Sequence, residues 1–353
     1  MKILQISSAA SFGGGERYVV DLTNNLVARG HDLYAAVRPQ SPLPRHLNLP
    51  SQKILTLPLR NALDVQSAHE LDRFVRRQHI EVIHAHMARD YSLAAYAARR
   101  NRHTKFIATR HVLFELSRFH RHTLARAFRV IAVSGAVARQ LREQGILRDE
   151  QIALVPNGID VDRFRRAREE FVPADSLVVG SMGEFRPLKR HDDFIRAAAI
   201  VAAKFPEARF VLAGLDLQPL EPLVLELGLK ERFSFIGWLN RPEEYLCGLD
   251  VFVSASETES FGLAMAEAMA VGTPVVATQT DGARELIEDQ KTGRLVPIGD
   301  VERIAEAIIE LLANPDQRRA MGARAMEVVN ERFSLKRMVD QIEEIYATDV
   351  IRG

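Results

Sequence analysis

The sequence predicts an α/β protein with two domains, each a doubly wound, Rossmann-like parallel sheet covered by helices. Its 353 residues are too many for one ordinary hydrophobic core and suit two domains of about 170 residues each. In both halves, short apolar runs alternate with segments of helical periodicity, which is typical of parallel sheets. We therefore expect domains at 1–171 and 172–333, followed by a terminal helix within 334–353 that is free to pack on the first domain.

In the first half, predicted strands and helices alternate and are separated by turn residues. The predicted strands are 2–7, 32–37, 53–57, 82–86, 105–109 and 130–134. The predicted helices are 16–28, 65–78, 91–100 and 136–144. The stretch 156–173, where Asn157-Gly158 precedes a charged run, predicts a turn and a linker.

The second half repeats the alternation. The predicted strands are 177–181, 209–213, 233–236, 251–254 and 274–277. The predicted helices are 192–204, 219–227, 261–270, 301–314, 315–329 and 335–347. Because ligands of doubly wound sheets bind outside the carboxyl ends of the strands, we expect a deep cleft where the ends of the two sheets face each other.

Composition and charge limit the class of protein. The single cysteine, Cys247, excludes an intrachain disulfide and a cysteine metal cage. No apolar stretch approaches the roughly 18 residues of a membrane span, and the opening apolar run is too short for a signal peptide, so we expect a cytoplasmic protein. Residues 1–170 hold 27 Lys and Arg against 16 Asp and Glu, and the remainder holds 20 against 30. The basic half favours an anionic partner.

Two loops that follow predicted strands indicate phosphate contacts. Gly13-Gly14-Gly15-Glu16 opens a helix, where glycines allow close backbone approach and the helix N-terminus offers N–H groups. A plain tight turn is the alternative, and the dinucleotide GxGxxG spacing is absent because residues 7–12 intervene. The segment 183–190 contains Arg186 and Lys189, which can neutralise a diphosphate. A solvated basic loop is the alternative there.

A third segment places two carboxylates, Glu259 and Glu267, eight positions apart. If a helix begins near Phe261, the N–H groups of Phe261, Gly262 and Leu263 point toward a ligand at the sheet edge. Glu267 can accept hydrogen bonds from a pair of ribose hydroxyls. A helix-dipole charge for Glu259 and a solvent-exposed position for Glu267 are the alternatives, although apolar neighbours disfavour exposure of Glu267.

Taken in order, these segments resemble the retaining glycosyltransferases of family 4, which have the GT-B fold and include bacterial enzymes of lipopolysaccharide and polysaccharide biosynthesis. The resemblance runs over nearly the whole chain. Its motifs are Gly13-Gly14-Gly15-Glu16, His84-Ala85-His86, His111, Val133-Ser134, 155–160, Gly183 with Lys189, 259–269, 272–276, and 282–285 before Gly293.

The resemblance implies roles for individual residues. Lys189 would bind the donor diphosphate in the loop that opens at Gly183, and Glu267 would hold the ribose. The donor sugar and its phosphate would be held by Glu259 and by the backbone of Phe261, Gly262 and Leu263. Gly14 and Gly15 would approach the diphosphate from the other domain on closure. His111 would touch the transferred sugar, with a structural histidine as the alternative, whereas His84 and His86 are expected to be structural.

One position departs from the family pattern, because Glu184 stands where family members usually carry Arg. Arg186, two residues later, could supply the missing charge. The sequence has no Asp-x-Asp motif in a suitable loop, so we expect no metal and no cofactor beyond the donor substrate. Lys189, Arg186 and helix N-termini would then stabilise the leaving diphosphate. The resemblance implies retention through front-face attack, and a covalent carboxylate is the alternative.

The implied function is transfer of a hexosyl group from a nucleotide diphosphate sugar, a UDP-sugar before GDP-mannose, to a glycan or glycolipid acceptor of the cell envelope. Segment 99–129, with nine basic residues and one acid, can lie on an anionic membrane, bind an anionic glycolipid, or simply pack on the core. A GT-B nucleotide-sugar 2-epimerase and a non-catalytic nucleotide-sugar binding module are the alternatives. Aromatic residues are not interleaved with the basic run, so no nucleic-acid partner is expected.

Overall fold

The computed structural model describes residues 1–171 and 177–348. They form two compact units, of which unit 1 is Met1–Gly158 with the C-terminal segment that begins at Leu335, and unit 2 is Ile159–Ser334. Each unit has its own parallel sheet and its own buried apolar residues. The predicted class, two parallel-sheet α/β domains, is therefore confirmed.

Unit 1 contains a seven-stranded parallel sheet in the order β3-β2-β1-β4-β5-β6-β7. The strands are β1 Lys2–Ser7, β2 Asp32–Val37, β3 Ile54–Thr56, β4 Val82–Ala85, β5 Lys105–Arg110, β6 Arg129–Ala132 and β7 Ile152–Leu154. The helices between them are α1 Gly14–Ala28, α2 Val65–Gln78, α3 Ala88–Arg100, α4 Arg118–Leu124 and α5 Gly135–Glu143. The central strands are almost wholly buried because helices cover both faces of such a sheet.

Unit 2 contains a six-stranded parallel sheet in the order β10-β9-β8-β11-β12-β13. The strands are β8 Val178–Met182, β9 Arg209–Ala213, β10 Phe233–Ile236, β11 Val251–Ser254, β12 Val275–Thr278 and β13 Arg294–Val296. The helices are α6 Val161–Glu170, α7 His191–Lys204, α8 Glu221–Glu226, α9 Pro242–Cys247, α10 Leu263–Ala270, α11 Asp281–Leu286, α12 Val301–Ala313 and α13 Pro315–Arg332.

The last helix, α14 Leu335–Ala347, packs on unit 1. Its apolar face is buried in the unit 1 core through Met338, Val339, Ile342 and Tyr346. The Nζ of Lys105 donates to the backbone oxygen of Tyr346 at 2.8 Å. Helix α14 therefore belongs to the same hydrophobic core as strand β1.

In both sheets the order in which strands are added along the sheet reverses at one place. In unit 1 the chain places β2 and β3 on one side of β1, then crosses to place β4 on the other side; unit 2 does the same around β8 and β11. Loops that leave such neighbouring strands diverge, which opens space for a ligand at their carboxyl ends. These two topological switch points, β1/β4 and β8/β11, are where functional residues are expected.

The predicted linker 156–173 contains helix α6, which is a correction to the sequence analysis. The carboxylate of Asp160 accepts the N–H of Arg163 at 3.1 Å and caps the helix. Phe164 and Ala167 are buried on one face of this otherwise charged segment. Since α6 packs on unit 2, the units divide between Gly158 and Ile159 rather than at 171.

Smaller differences concern short elements. The three-residue strands β7 and β13 were not predicted, because three residues are too few for a periodic pattern. The helix predicted at 261–270 begins at Leu263, since Gly262 adopts φ +94°, a left-handed conformation that precedes the first turn. Within residues 1–171 and 177–348, none of the helices is both long enough and apolar enough to cross a membrane.

Candidate functional site

A lysine–glutamate pair lies at the switch point of unit 2. Lys189 ends the turn Pro187–Lys189 in the loop after β8, and Glu259 lies in the loop after β11. The Nζ of Lys189 is 2.5 Å from Oε1 of Glu259. The two loops are also joined through their backbones, because the N–H of Glu257 donates to the oxygen of Leu188 at 2.8 Å.

Three neighbours hold Glu259 in place. The hydroxyl of Ser256 donates to Oε1 of Glu259 at 2.9 Å, and the N–H of Gly282 donates to its backbone oxygen at 3.0 Å. The hydroxyl of Thr278 in turn donates to the backbone oxygen of Ser256 at 2.5 Å. Sequence reasoning missed Ser256 and Thr278, and no local signal could have found them, because their role depends on which strands are adjacent.

Gly282 allows a close approach of two chain segments. A Cβ at this position would lie 2.5 Å from the backbone oxygen of Phe261 and 2.9 Å from that of Glu259. Only glycine fits without moving the Glu259 loop. Gly282 lies in a motif of the family resemblance, so the sequence indicated that the position matters. It did not indicate that glycine is needed there for close packing.

The Lys189–Glu259 pair is only partly shielded from water. The side chain of Lys189 is 30% exposed and that of Glu259 is 16% exposed. An ammonium group has three N–H donors, so this contact leaves donors of Lys189 for a second anion. Gly183 opens the same loop, and a Cβ there would lie 3.6 Å from Cε of Lys189 and 3.5 Å from the ring of His191. The structure therefore brings together Gly183, Lys189 and Glu259.

Helix α10 starts directly after this loop. The first N–H groups of an α-helix have no partner within the helix, and its N-terminus has a positive potential. Glu267, near the middle of α10, is only 5% exposed, so its solvent-exposed alternative is wrong. The ring of Phe261 is buried and packs edge-on against Phe333, with ring centroids 5.5 Å apart. Its side chain is therefore part of the core.

Glu184, which stands where family members usually carry Arg, forms a local ion pair with Arg186. Nε and a terminal nitrogen of Arg186 donate to one carboxylate oxygen of Glu184, at 2.9 and 2.8 Å, and both side chains are exposed. The cation that was expected to compensate for Glu184 is thus neutralised by Glu184 itself.

The switch point of unit 1 has a different chemistry. The N–H of Ser8, directly after β1, donates to Oδ2 of Asp90 at 2.9 Å, and burial raises the pKa of Asp90 to about 6.

In the glycine turn, the N–H of Gly13 donates to Oε2 of Glu16 at 2.9 Å, and Gly14 is the first residue of α1. A Cβ at Gly15 would meet no atom within 4 Å, so packing does not require glycine there.

Three histidines lie beside this switch point. His84 and His86 are buried at the end of β4, and His111 follows β5 with its ring edge-on to Tyr18, centroids 4.8 Å apart. Burial lowers the pKa of His84 to about 3, and burial together with the charge of Arg110 lowers the pKa of His111 to about 4. All three are neutral at pH 7, since the pKa of His86 is lowered as well. Among the described residues, no group of three or more His, Cys, Asp or Glu could hold a metal ion.

With the fold and this geometry established, comparisons identify the class of protein. The family model described as Glycosyltransferase Family 4 matches residues 12–163, and the one described as Glycosyl transferases group 1 matches residues 162–328. The two matches follow one another along the two units. The chain therefore belongs to family 4 of the glycosyltransferases.

Individual relatives are similar over the whole chain. An N-acetyl-alpha-D-glucosaminyl L-malate synthase of Bacillus anthracis is 28% identical over 374 residues, which cover 98% of this chain and 97% of the relative. The lipopolysaccharide core biosynthesis glycosyltransferase LpsE of Rhizobium meliloti is 29% identical over 346 residues, covering 95% and 96%. The crystal structure of Anabaena HepE in complex with UDP and glucose shares the fold, with a TM-score of 0.82, 23% identity and 98% coverage of each chain.

Proposed function

We propose that this protein transfers a hexosyl group from a nucleotide diphosphate sugar to a glycan or glycolipid acceptor in cell-envelope polysaccharide biosynthesis. The observation that carries the proposal is the Lys189–Glu259 pair at the β8/β11 switch point, directly before the N-terminus of α10. A cation beside a helix N-terminus suits a diphosphate. Two relatives support the proposal: the N-acetyl-alpha-D-glucosaminyl L-malate synthase favours a sugar donor, and the lipopolysaccharide core biosynthesis glycosyltransferase LpsE favours an envelope acceptor.

In this proposal Lys189 binds the donor diphosphate with the donors that its contact with Glu259 leaves available. The backbone of Phe261, Gly262 and Leu263 contacts the donor sugar and its phosphate. Glu267 accepts hydrogen bonds from the ribose hydroxyls. Glu259 holds Lys189 in place and accepts hydrogen bonds from the donor sugar.

The proposed reaction retains the anomeric configuration. The bond between the anomeric carbon and the phosphate oxygen breaks while the acceptor oxygen bonds to the same face of that carbon. The acceptor proton goes to the departing phosphate oxygen, so no protein nucleophile takes part. Lys189 and helix N-termini stabilise the negative charge of the leaving group without a metal ion. His111 contacts the transferred sugar, and Gly14 and Gly15 bind the diphosphate.

A donor screen tests this function. UDP, GDP and ADP, each alone and as their sugars, are added to the full-length protein while its melting temperature is measured. We expect UDP and a UDP-sugar to raise it most, GDP-mannose next, because a ligand that binds only the folded state stabilises it. Stabilisation by none of these nucleotides would contradict the proposal.

Product analysis separates the transferase from its alternatives. With the stabilising donor and an envelope glycolipid extract, we expect release of the nucleoside diphosphate and a glycosylated acceptor. Isomerisation of the sugar nucleotide without acceptor would instead identify a 2-epimerase. Tight donor binding with no turnover, with any acceptor, would identify a binding module.

We further propose that the protein works in the cytoplasm and docks on the inner face of the membrane through segment 99–129. In this segment Leu116, Leu124 and Ala127 are buried in the core, so its apolar face is narrower than the sequence indicated. Three apolar side chains are nevertheless exposed by 38, 63 and 45%, namely Val112, Phe114 and Phe119. Arg121 and Arg126 lie in the same segment. Apolar and basic side chains together favour an anionic bilayer surface.

Vesicle sedimentation tests the docking. Wild-type protein should sediment with vesicles that contain about one-third anionic lipid and less with purely zwitterionic vesicles, and a Phe114→Ser, Phe119→Ser double variant should lose this binding. Leu63→Ser, which changes an exposed apolar side chain of unit 1 outside the segment, is the matched control. Equal sedimentation of all three proteins would contradict the docking proposal.

A further inference from the structure

Seven polar side chains of unit 1 form one connected network between the sheet and the C-terminal helix. Six of its members are buried and the seventh, His111, is half-buried. Its members are Gln5, Tyr18, His84, His86, Thr109, His111 and Tyr346. Neither the family roles nor the proposed donor site uses Tyr346, which α14 brings to the strands from the end of the chain.

A chain of hydroxyl and imidazole groups runs from Tyr346 to Tyr18. The hydroxyl of Tyr346 is 2.6 Å from Nδ1 of His84, and Nε2 of His84 is 2.6 Å from the hydroxyl of Thr109. The Thr109 hydroxyl is 3.3 Å from that of Tyr18. Because these groups are buried, each depends on its neighbours in the network for hydrogen bonds.

The two hydrogen bonds that the side chain of Gln5 makes have a fixed direction. The amide oxygen of Gln5 can only accept, so Nε2 of His86 donates to it, at 2.7 Å. The amide nitrogen of Gln5 donates to the Tyr346 hydroxyl at 3.4 Å. Nδ1 of His84 is hydrogen-bonded to the Tyr346 hydroxyl, and its Nε2 is hydrogen-bonded to the Thr109 hydroxyl. Burial lowers the pKa of His84 to about 3, so its imidazole is neutral and serves one of these partners as a donor and the other as an acceptor.

The far end of the chain reaches two features of the proposed site. The Thr109 hydroxyl is hydrogen-bonded to that of Tyr18, whose ring lies edge-on to His111 at an interplanar angle of 79°. Tyr18 also stands on α1, one turn after Gly14 and Gly15. The hydrogen bond that holds the Tyr18 hydroxyl thus fixes a ring that supports the His111 imidazole.

We propose that Tyr346 is a positioning residue for glycosyl transfer: through His84 and Thr109 it holds the Tyr18 ring, and thereby the imidazole of His111, in the orientation that the transferred sugar requires. This inference rests on the proposed function, in which His111 contacts that sugar. Helix α14 then contributes to the site without touching substrate.

The test is a double-mutant cycle in the full-length protein. Tyr346→Phe keeps the ring and removes the hydroxyl, and should lower kcat about fivefold with donor KM within about twofold. In a His111→Ala background the same substitution should change kcat by less than about twofold, because no imidazole remains to be positioned. An equal loss in both backgrounds would identify a merely structural role and overturn the proposal.

Thr109 provides an independent pair of variants. Thr109→Val breaks the chain between His84 and Tyr18 and should match Tyr346→Phe in kcat, whereas Thr109→Ser restores the hydroxyl and should recover most of the activity. Tyr34→Phe is the matched control, because it removes a tyrosine hydroxyl of unit 1 that donates to Asp32 at 3.2 Å, outside the network. If Tyr346→Phe does not fold, the Thr109 pair decides.

The result for His111→Ala alone separates this inference from the proposed function. Unchanged activity would remove His111 from the proposed site, and the positioning role with it. A loss with His111→Ala, but none with Tyr346→Phe or Thr109→Val, would overturn the positioning role and leave the proposed function in place.

Discussion

The two switch points share a strand order and differ in chemistry. At β8/β11 a Lys189–Glu259 ion pair remains partly exposed, whereas beside β1/β4 the polar groups are buried and the imidazoles of His84, His86 and His111 are neutral. A charged group keeps its charge only where water or a close partner stabilises it. Topology therefore decides where a ligand can bind, and burial decides which charges the site presents.

The net charge of a sequence half does not predict the charge of its site. The first 170 residues have an excess of basic groups, yet the unit 1 switch point presents neutral imidazoles and a carboxyl group with a raised pKa. The remainder has an excess of acids, yet it contains Lys189. A surface charge that lies further than about 10 Å from the strand ends has little effect there, because salt screens it.

Removing a charged side chain of the proposed donor site should have the largest effect. Lys189→Ala and Glu267→Ala should each lower kcat/KM for the donor at least tenfold, about 1.4 kcal/mol of transition-state stabilisation, with an unchanged melting temperature. Lys291→Ala, which removes an exposed lysine paired with Glu288, is the matched control. Near-normal rates in both site variants would remove the donor site from unit 2.

Acid should weaken the neutral histidine network. The folded-state pKa of His84, about 3, lies below its unfolded value, so the unfolded chain binds more protons between these values. The contribution of His84 to the free energy of unfolding is therefore fully present above about pH 6.5. It decreases as the pH falls, by about 1.4 kcal/mol at pH 5.5. Asp90, with its raised pKa, changes in the opposite direction.

Urea unfolding at pH 7 and pH 5.5 measures this change. His84→Gln removes the titrating group, so the difference between the two pH values should be smaller for the variant than for the wild type. Only this difference is compared, because the substitution also alters packing at both pH values. An identical pH dependence would show that His84 is not held neutral by the fold.

A smaller effect is expected at the glycine turn. Gly15→Ala adds a methyl group where no protein atom lies within 4 Å, so the melting temperature should not fall. If the backbone there contacts the diphosphate, the donor KM should rise about fivefold, roughly 1 kcal/mol. Gly237→Ala, also in open space but in unit 2, is the control. A normal KM would remove Gly15 from the donor site.

The smallest effect is expected at Arg186. An exposed ion pair contributes about 0–1 kcal/mol, and Arg186 already shares its charge with Glu184, so Arg186→Ala should change kcat/KM less than about threefold. Steady-state kinetics with the preferred donor measures this. A tenfold loss would show that Arg186 leaves Glu184 to bind the diphosphate, as the sequence first indicated.

Local sequence patterns are enough to predict the architecture of both units and the positions of most strands. Strands β9, β10 and β11 begin and end where their apolar runs do, because periodicity and turn residues are local properties. Helix α6 was not predicted from the sequence, because most of its ten residues are charged and only two of them are buried. The order of motifs was enough to indicate the family, because each motif is short and contiguous.

Which of these residues are in contact depends on the three-dimensional fold. Lys189 and Glu259 are 70 positions apart, and His84 and Tyr346 are 262 apart. Such contacts depend on strand order and on where the last helix packs, which hydrophobic periodicity does not encode. The charge of a site also depends on the fold. The sequence shows an arginine at position 186, but its ion pair with Glu184 is seen only in the structure. The buried histidines are neutral because of the environment that the fold creates around them.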